Sequence, residues 1–126
     1  MSKRLSKKRV SEYIRLGMER LCDNVENGRH ILRSGERYSG VCFPLTGTEN
    51  SCVIKYTGLS TGAKDDMNIV IGVYRNGTDR EFSVFDFKGS DSEFVEYVKG
   101  SAYSIERYYK DICSLSEACD DYWNDK

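Results

Sequence analysis

Apolar residues return at helical intervals near both ends of the chain and at alternate positions between them. Val10, Ile14, Met18, Leu21 and Val25 step by four, four, three and four. That spacing lines one helical face and predicts a helix over 6–27. Ser6 stands where an N-cap would, and Asn27-Gly28 where the helix would stop. Leu16 falls outside the stripe, on the polar side.

From 29 to 88 the apolar runs are short and split by Gly, Asn, Ser and Thr. They predict strands near 37–43, 51–58, 67–75 and 80–87, with a short fifth at 29–33. Asn76-Gly77 is the preferred pair for a two-residue type I′ hairpin turn. Such a turn sets Arg75 opposite Thr78, Ile71 opposite Phe82 and Ile69 opposite Val84. Ile69, Ile71, Phe82 and Val84 then share one sheet face, so register and hydrophobic pattern agree. Tyr74, Phe85 and Phe87 fall on the other face.

Ser90 and Glu93 form a capping-box pattern. Phe94, Val98, Ala102, Ile105, Tyr109 and Ile112 follow in helical step, so the expectation is one helix over 90–113, weakened at Gly100. Tyr97, Tyr108 and Tyr109 lie on or beside its apolar stripe. Tyr103 points away, among Glu106, Arg107 and Lys110. Ser114 with Glu117 repeats the capping pattern and announces a last short helix carrying Leu115, Ala118, Cys119 and Trp123. The order helix, four to five antiparallel strands, helix, helix predicts a single two-layer α+β domain, with helices on one sheet face and residues 1–5 as a basic arm.

The composition fits this picture. The 126 residues are 39% hydrophobic and 31% charged, with one proline and a net charge of −1, as in ordinary globular domains. A dedicated nucleic-acid binder is usually basic overall. Here the bases gather at one end: residues 1–20 hold seven bases against two acids, and residues 89–126 nine acids against four bases. Lys3, Arg4, Lys7, Lys8 and Arg9 are therefore the candidate nucleic-acid contacts, against the plainer reading of a solvated helix with a basic arm. No apolar segment follows the basic start, and no run approaches a membrane span. Five cysteines, an odd number without a Cys-x-x-Cys pair, suit reduced thiols and a cytoplasmic location.

Candidate chemistry is sparse. In "TGLSTGAKDD", residues 57–66, Gly58 and Gly62 are too close for a Walker A loop, Ala63 precedes Lys64, and Asp65 replaces the magnesium-binding hydroxyl. His30, the only histidine, has no evident nucleophile beside it, and the cysteines lack zinc-site spacing. Under the expected register Asp65 faces Lys88, with Asp86 one pair further in. An acid on one strand and an acid-x-Lys step on its neighbour resembles the PD-(D/E)xK metal-dependent nucleases. That resemblance implies magnesium held by Asp65 and Asp86, Lys88 assisting the attacking water or the phosphate, and a further Glu from the first helix, Glu19 or Glu26. It covers about a quarter of the chain. No proline precedes Asp65, and the plainer reading is cross-strand ion pairing.

The remaining signal is aromatic. With helices on one face only, Tyr74, Phe85 and Phe87, together with Tyr103 and Arg107 on the helix, are exposed groups of the kind that form partner-binding surfaces. The expectation is a small non-catalytic protein without a cofactor, which docks on another protein or on itself and has no membrane segment. Its size and lack of cofactor motifs are those of inhibitors, immunity factors and adaptors, including anti-defence proteins of phages and mobile elements, by analogy alone. The alternatives are the magnesium-dependent nuclease and nucleic-acid binding through the basic arm.

Overall fold

The computed structural model describes residues 5–33, 35–59 and 67–125. The first helix, α1, spans Lys7–Glu26, and Ser6 caps it by accepting the Arg9 amide at 3.3 Å. All five residues of the predicted stripe are buried. Gly17 lies on that buried face, where a Cβ would stand 3.0 Å from Val41 Cγ2. The missing side chain lets the helix settle close to the sheet.

The strands β1 (Ile31–Arg33), β2 (Glu36–Pro44), β3 (Asn50–Leu59), β4 (Met67–Arg75) and β5 (Glu81–Gly89) form one antiparallel meander in sequence order. Cys52, Ile54, Tyr56, Ile69, Ile71 and Val73 alternate along β3 and β4 onto one face and are completely buried. The helices cover that face: α1 packs on β2 and β3, and α3 (Ile105–Asn124) packs on β4 and β5. Between them, α2 (Asp91–Lys99) lies against α1 and opens on the predicted Ser90–Glu93 capping box. The fold is the expected two-layer α+β arrangement. None of the described helices is long and apolar enough to cross a membrane.

Three local expectations change. First, the Asn76-Gly77 turn is not type I′. Only Gly77 has positive φ, at 85°, whereas that turn needs it at both central residues. The Thr78 amide closes on the Arg75 carbonyl at 2.9 Å, and the ladder begins at Tyr74 opposite Glu81. The β4–β5 register therefore moves by two residues, with Ile71 opposite Val84 and Val73 opposite Phe82. A shift of two keeps every side chain on its face, so the shared face of Ile69, Ile71, Phe82 and Val84 survives.

Second, β5 contains a bulge. Val70 faces Phe85 and Asn68 faces Lys88, so Ile69 is opposed by both Asp86 and Phe87. One extra residue reverses the alternation beyond it. Phe87 turns to the helices, where its ring stacks on Tyr97 at 4.6 Å, and Lys88 turns to the other face.

Third, the helix expected over 90–113 is two helices. It breaks at Gly100–Ser104, where Ser101 adopts φ 53° and Ser104 caps α3 through the Arg107 amide at 3.1 Å. Ser116, expected near the start of a final helix, lies inside α3, where its hydroxyl accepts from Asn50 Nδ2 at 3.0 Å.

Candidate functional site

Besides Ser39, whose hydroxyl accepts from Asn24 Nδ2 at 2.9 Å, polar groups enter the core at three places among the described residues. At the β5 bulge, the Asp86 carboxylate accepts the phenols of Tyr97 and Tyr108 and the guanidinium of Arg107; its side chain is 6% exposed. Burial, then the bond to Asp86, pushes the Tyr108 phenol well above its ordinary range. At the start of α2, Asp91 takes both Arg37 nitrogens at 3.2 Å and the Tyr56 hydroxyl at 3.0 Å, while Arg37 Nη1 also meets His30 Nε2 at 3.2 Å. At the far end of the sheet, the buried Asn50 donates to Ser116 and to Asp120, and accepts from Arg75 Nε at 3.0 Å. Each network joins a strand to a helix. Buried polar groups satisfied in this way fix the packing of layers.

These placements bear on the acid–lysine cluster. Asp65 lies outside the described residues. Asp86 faces the helices and its oxygens are occupied, whereas Lys88 shares the opposite face with Asn68. The expectation that Asp86 and Lys88 share a face is corrected by the bulge between them. Of the two candidate carboxylates on α1, Glu26 binds Lys99 at 2.8 Å, and both Glu19 and Glu26 line a cleft between α1 and the α2–α3 linker. Among the described residues no group of three His, Cys, Asp or Glu side chains is placed to hold a metal ion.

Of the basic arm, Lys3 and Arg4 lie outside the described residues. Lys7, Lys8 and Arg9 are exposed on the first turn of α1, and Lys7 pairs with Glu106 at 2.6 Å. The basic and acidic ends of the chain thus meet within one molecule. An ion pair this exposed adds little stability.

The five expected docking residues do not form one patch. Tyr103 is 9% exposed, because it belongs to the α2–α3 linker and turns inward to stack on Tyr108 at 6.0 Å. Phe87 is packed under α2, as the bulge requires. The expected exposure of both rings is therefore corrected. Arg107 is exposed, but on the helical layer beside Asp86. Tyr74 and Phe85 remain on the open face, with Phe85 70% exposed.

The strand registers show what surrounds those two rings. One row across β2–β5 reads Gly40, Lys55, Val70, Phe85; the next reads Cys42, Val53, Gly72, Ser83; the third reads Pro44, Ser51, Tyr74, Glu81. Ile31 and Tyr38 continue the face across β1 and β2, and Ile31 is exposed. A trough of about 550 Å³ runs between Tyr38 and Phe85, with Thr57 and Val70 among its lining. Glu81 folds over Gly72, where a Cβ would come within 2.6 Å of its Cδ, and reaches Lys55 Nζ at 3.1 Å. Val53 and Val70, beside this bridge, are 8% and 5% exposed although they lie outside the main core cluster. Long charged side chains laid across a sheet keep such residues dry through their stems. Among the described residues no helix packs on this face.

Sequence reasoning missed Ile31, Tyr38, Val53, Lys55 and Val70. The signal was available in the alternation of β2 and β3, but it needed a register for hairpins that carry no Asn-Gly marker. The Tyr74 hydroxyl donates to Cys42 Sγ at 3.7 Å, and this bond, followed by burial, raises the phenol's pKa.

Comparison of the chain with protein-family models, with curated proteins and with solved structures returned no match.

Proposed function

We propose that this chain is a non-catalytic protein-binding protein that works by laying its uncovered sheet face on another polypeptide. The observation that carries the reading is Phe85. A large ring stands 70% exposed in a row that continues through Val70 and Lys55, on a face that no described helix covers. Aromatic anchors of this kind, rimmed by polar groups such as Lys55, Glu81 and Ser83, dominate binding energy at protein interfaces. The polar networks on the helical side support the same reading, because Asp86, Asp91 and Asn50 are all engaged in joining strands to helices.

The test is Phe85→Ser combined with Tyr74→Ser. Both side chains lie on the open face, so the variant should remain folded. The reading expects the wild-type chain to retain a protein from extracts of its native host and the double variant to lose it. Equal retention by both chains would count against the open face.

A further inference from the structure

We infer that the open sheet face is an isologous interface between two copies of this chain, packed sheet on sheet about a two-fold axis parallel to the strands. The inference rests on the docking reading above and names the occupant.

The row Gly40, Lys55, Val70, Phe85 crosses the open face from β2 to β5. It has its largest exposed ring at one end and no side chain at the other. Gly40 is exposed, and the nearest atom to its absent Cβ is Lys55 Cγ at 3.4 Å. A two-fold axis running along the strands midway between β3 and β4 exchanges β2 with β5 and β3 with β4. Each row then lies over its own reverse. Phe85 of one copy sits above Gly40 of the other, and Tyr74 above Ser51. At both positions a large ring meets a small residue, and both contacts occur twice. That is the self-complementarity an isologous interface requires.

The area is adequate. Strands of nine or ten residues, at about 3.3 Å per residue and 4.8 Å apart, give β2–β5 a face of about 600 Å² before side-chain relief. Two such faces reach about 1,200 Å², the lower bound of a standard stable interface, and β1 adds to it. A net charge of −1 leaves little repulsion between copies. The central Lys55–Glu81 bridge is internally neutralised, so each copy presents a balanced rather than a like-charged middle.

The experiment is sedimentation equilibrium of the full chain across the micromolar range, for wild type, Phe85→Lys and Gly40→Leu. Gly40→Leu fills the proposed recess, at a position where a Cβ meets the flexible Lys55 stem at 3.4 Å and the Ile54 carbonyl oxygen at 3.7 Å, both ordinary contacts. The expected result is a wild-type dimer weakened about tenfold or more by each variant, since the two-fold repeats the substitution and the anchor contact is lost twice. Ser83→Cys adds a geometric readout. The two-fold sets position 83 opposite Cys42 of the other copy, whereas within one copy they are three strands, about 14 Å, apart. A bismaleimide shorter than that spacing should join Cys42 of one copy to the thiol introduced at position 83 of the other, giving a cross-linked dimer. A monomeric wild type throughout the range, or a dimer indifferent to both variants, overturns the inference. In either case the docking reading still stands if a different protein covers Phe85, and it fails only if Phe85 is never covered.

Discussion

Asp86 and Phe87 are adjacent in β5, yet both face the helices, because together they oppose the single residue Ile69. The bulge gives one strand two outcomes. Up to Phe85 it alternates between core and open face. Beyond it, Asp86 binds Tyr97, Tyr108 and Arg107, and Phe87 stacks on Tyr97. Lys88 is left on the open side. The bulge also bends an edge strand, a common way of discouraging pairing along its free edge.

Asp86→Ala should lower stability by about 2 kcal/mol, since it removes charge-assisted bonds and leaves the buried Tyr108 phenol and the half-buried Tyr97 phenol without their acceptor. Urea unfolding followed by circular dichroism measures it. A variant as stable as wild type would mean that the carboxylate is not an internal tie, and would return Asp86 to the groups free for chemistry.

Tyr103→Ala separates the two helical readings. On a continuous helix over 90–113 the ring points to solvent, and its loss costs almost nothing. In the linker it is buried between Tyr97 and Tyr108, and truncation should cost about 3 kcal/mol. A midpoint unchanged in urea would support the continuous helix.

The thiols should fall into distinct classes. Cys42 is exposed on the open face, whereas Cys52 and Cys119 are completely buried. Burial raises the Cys52 thiol far above its ordinary value, and burial is also the first cause of the rise at Cys22 and Cys119. A thiol reagent at neutral pH should modify Cys42 first and Cys52 and Cys119 only on unfolding. The sign of the linkage is that of a raised folded pKa. The contribution of the neutral buried thiols is complete below about pH 9 and is lost as pH rises further, because only the unfolded chain can ionise them. Cys52→Ala should flatten part of that alkaline decline in stability. Equal labelling rates for Cys42 and Cys52 in the native protein would contradict the assignment of faces.

What the sequence disclosed was local. The α1 stripe, the Ser90 capping box and the alternation of β4 are each written within one or two turns or a few pairs, and each is present in the structure. The break between α2 and α3 was hidden because both helices bury the same side. Phe94, Val98, Ile105 and Ile112 keep helical step across it, and Gly100 alone is a weak breaker. The bulge left no trace in composition, because it answers to the partners of Asp86 on α2 and α3. Asn50 was silent for a similar reason: Ser116 and Asp120 lie 66 and 70 residues away in sequence. The open face was half visible, through Tyr74 and Phe85 on the marked hairpin. The rest waited for the registers of β2 and β3.

Hydroxyl-radical footprinting tests the docking surface most directly. The protein is oxidised when dilute, when concentrated, and in extract of its host, and modification is read at Phe85, Tyr38 and Leu16. Leu16 is exposed on α1, away from the open face, and serves as the control. The account predicts that Phe85 and Tyr38 become protected, either with concentration or in extract, while Leu16 stays reactive. Phe85 reacting equally in all three conditions would contradict it.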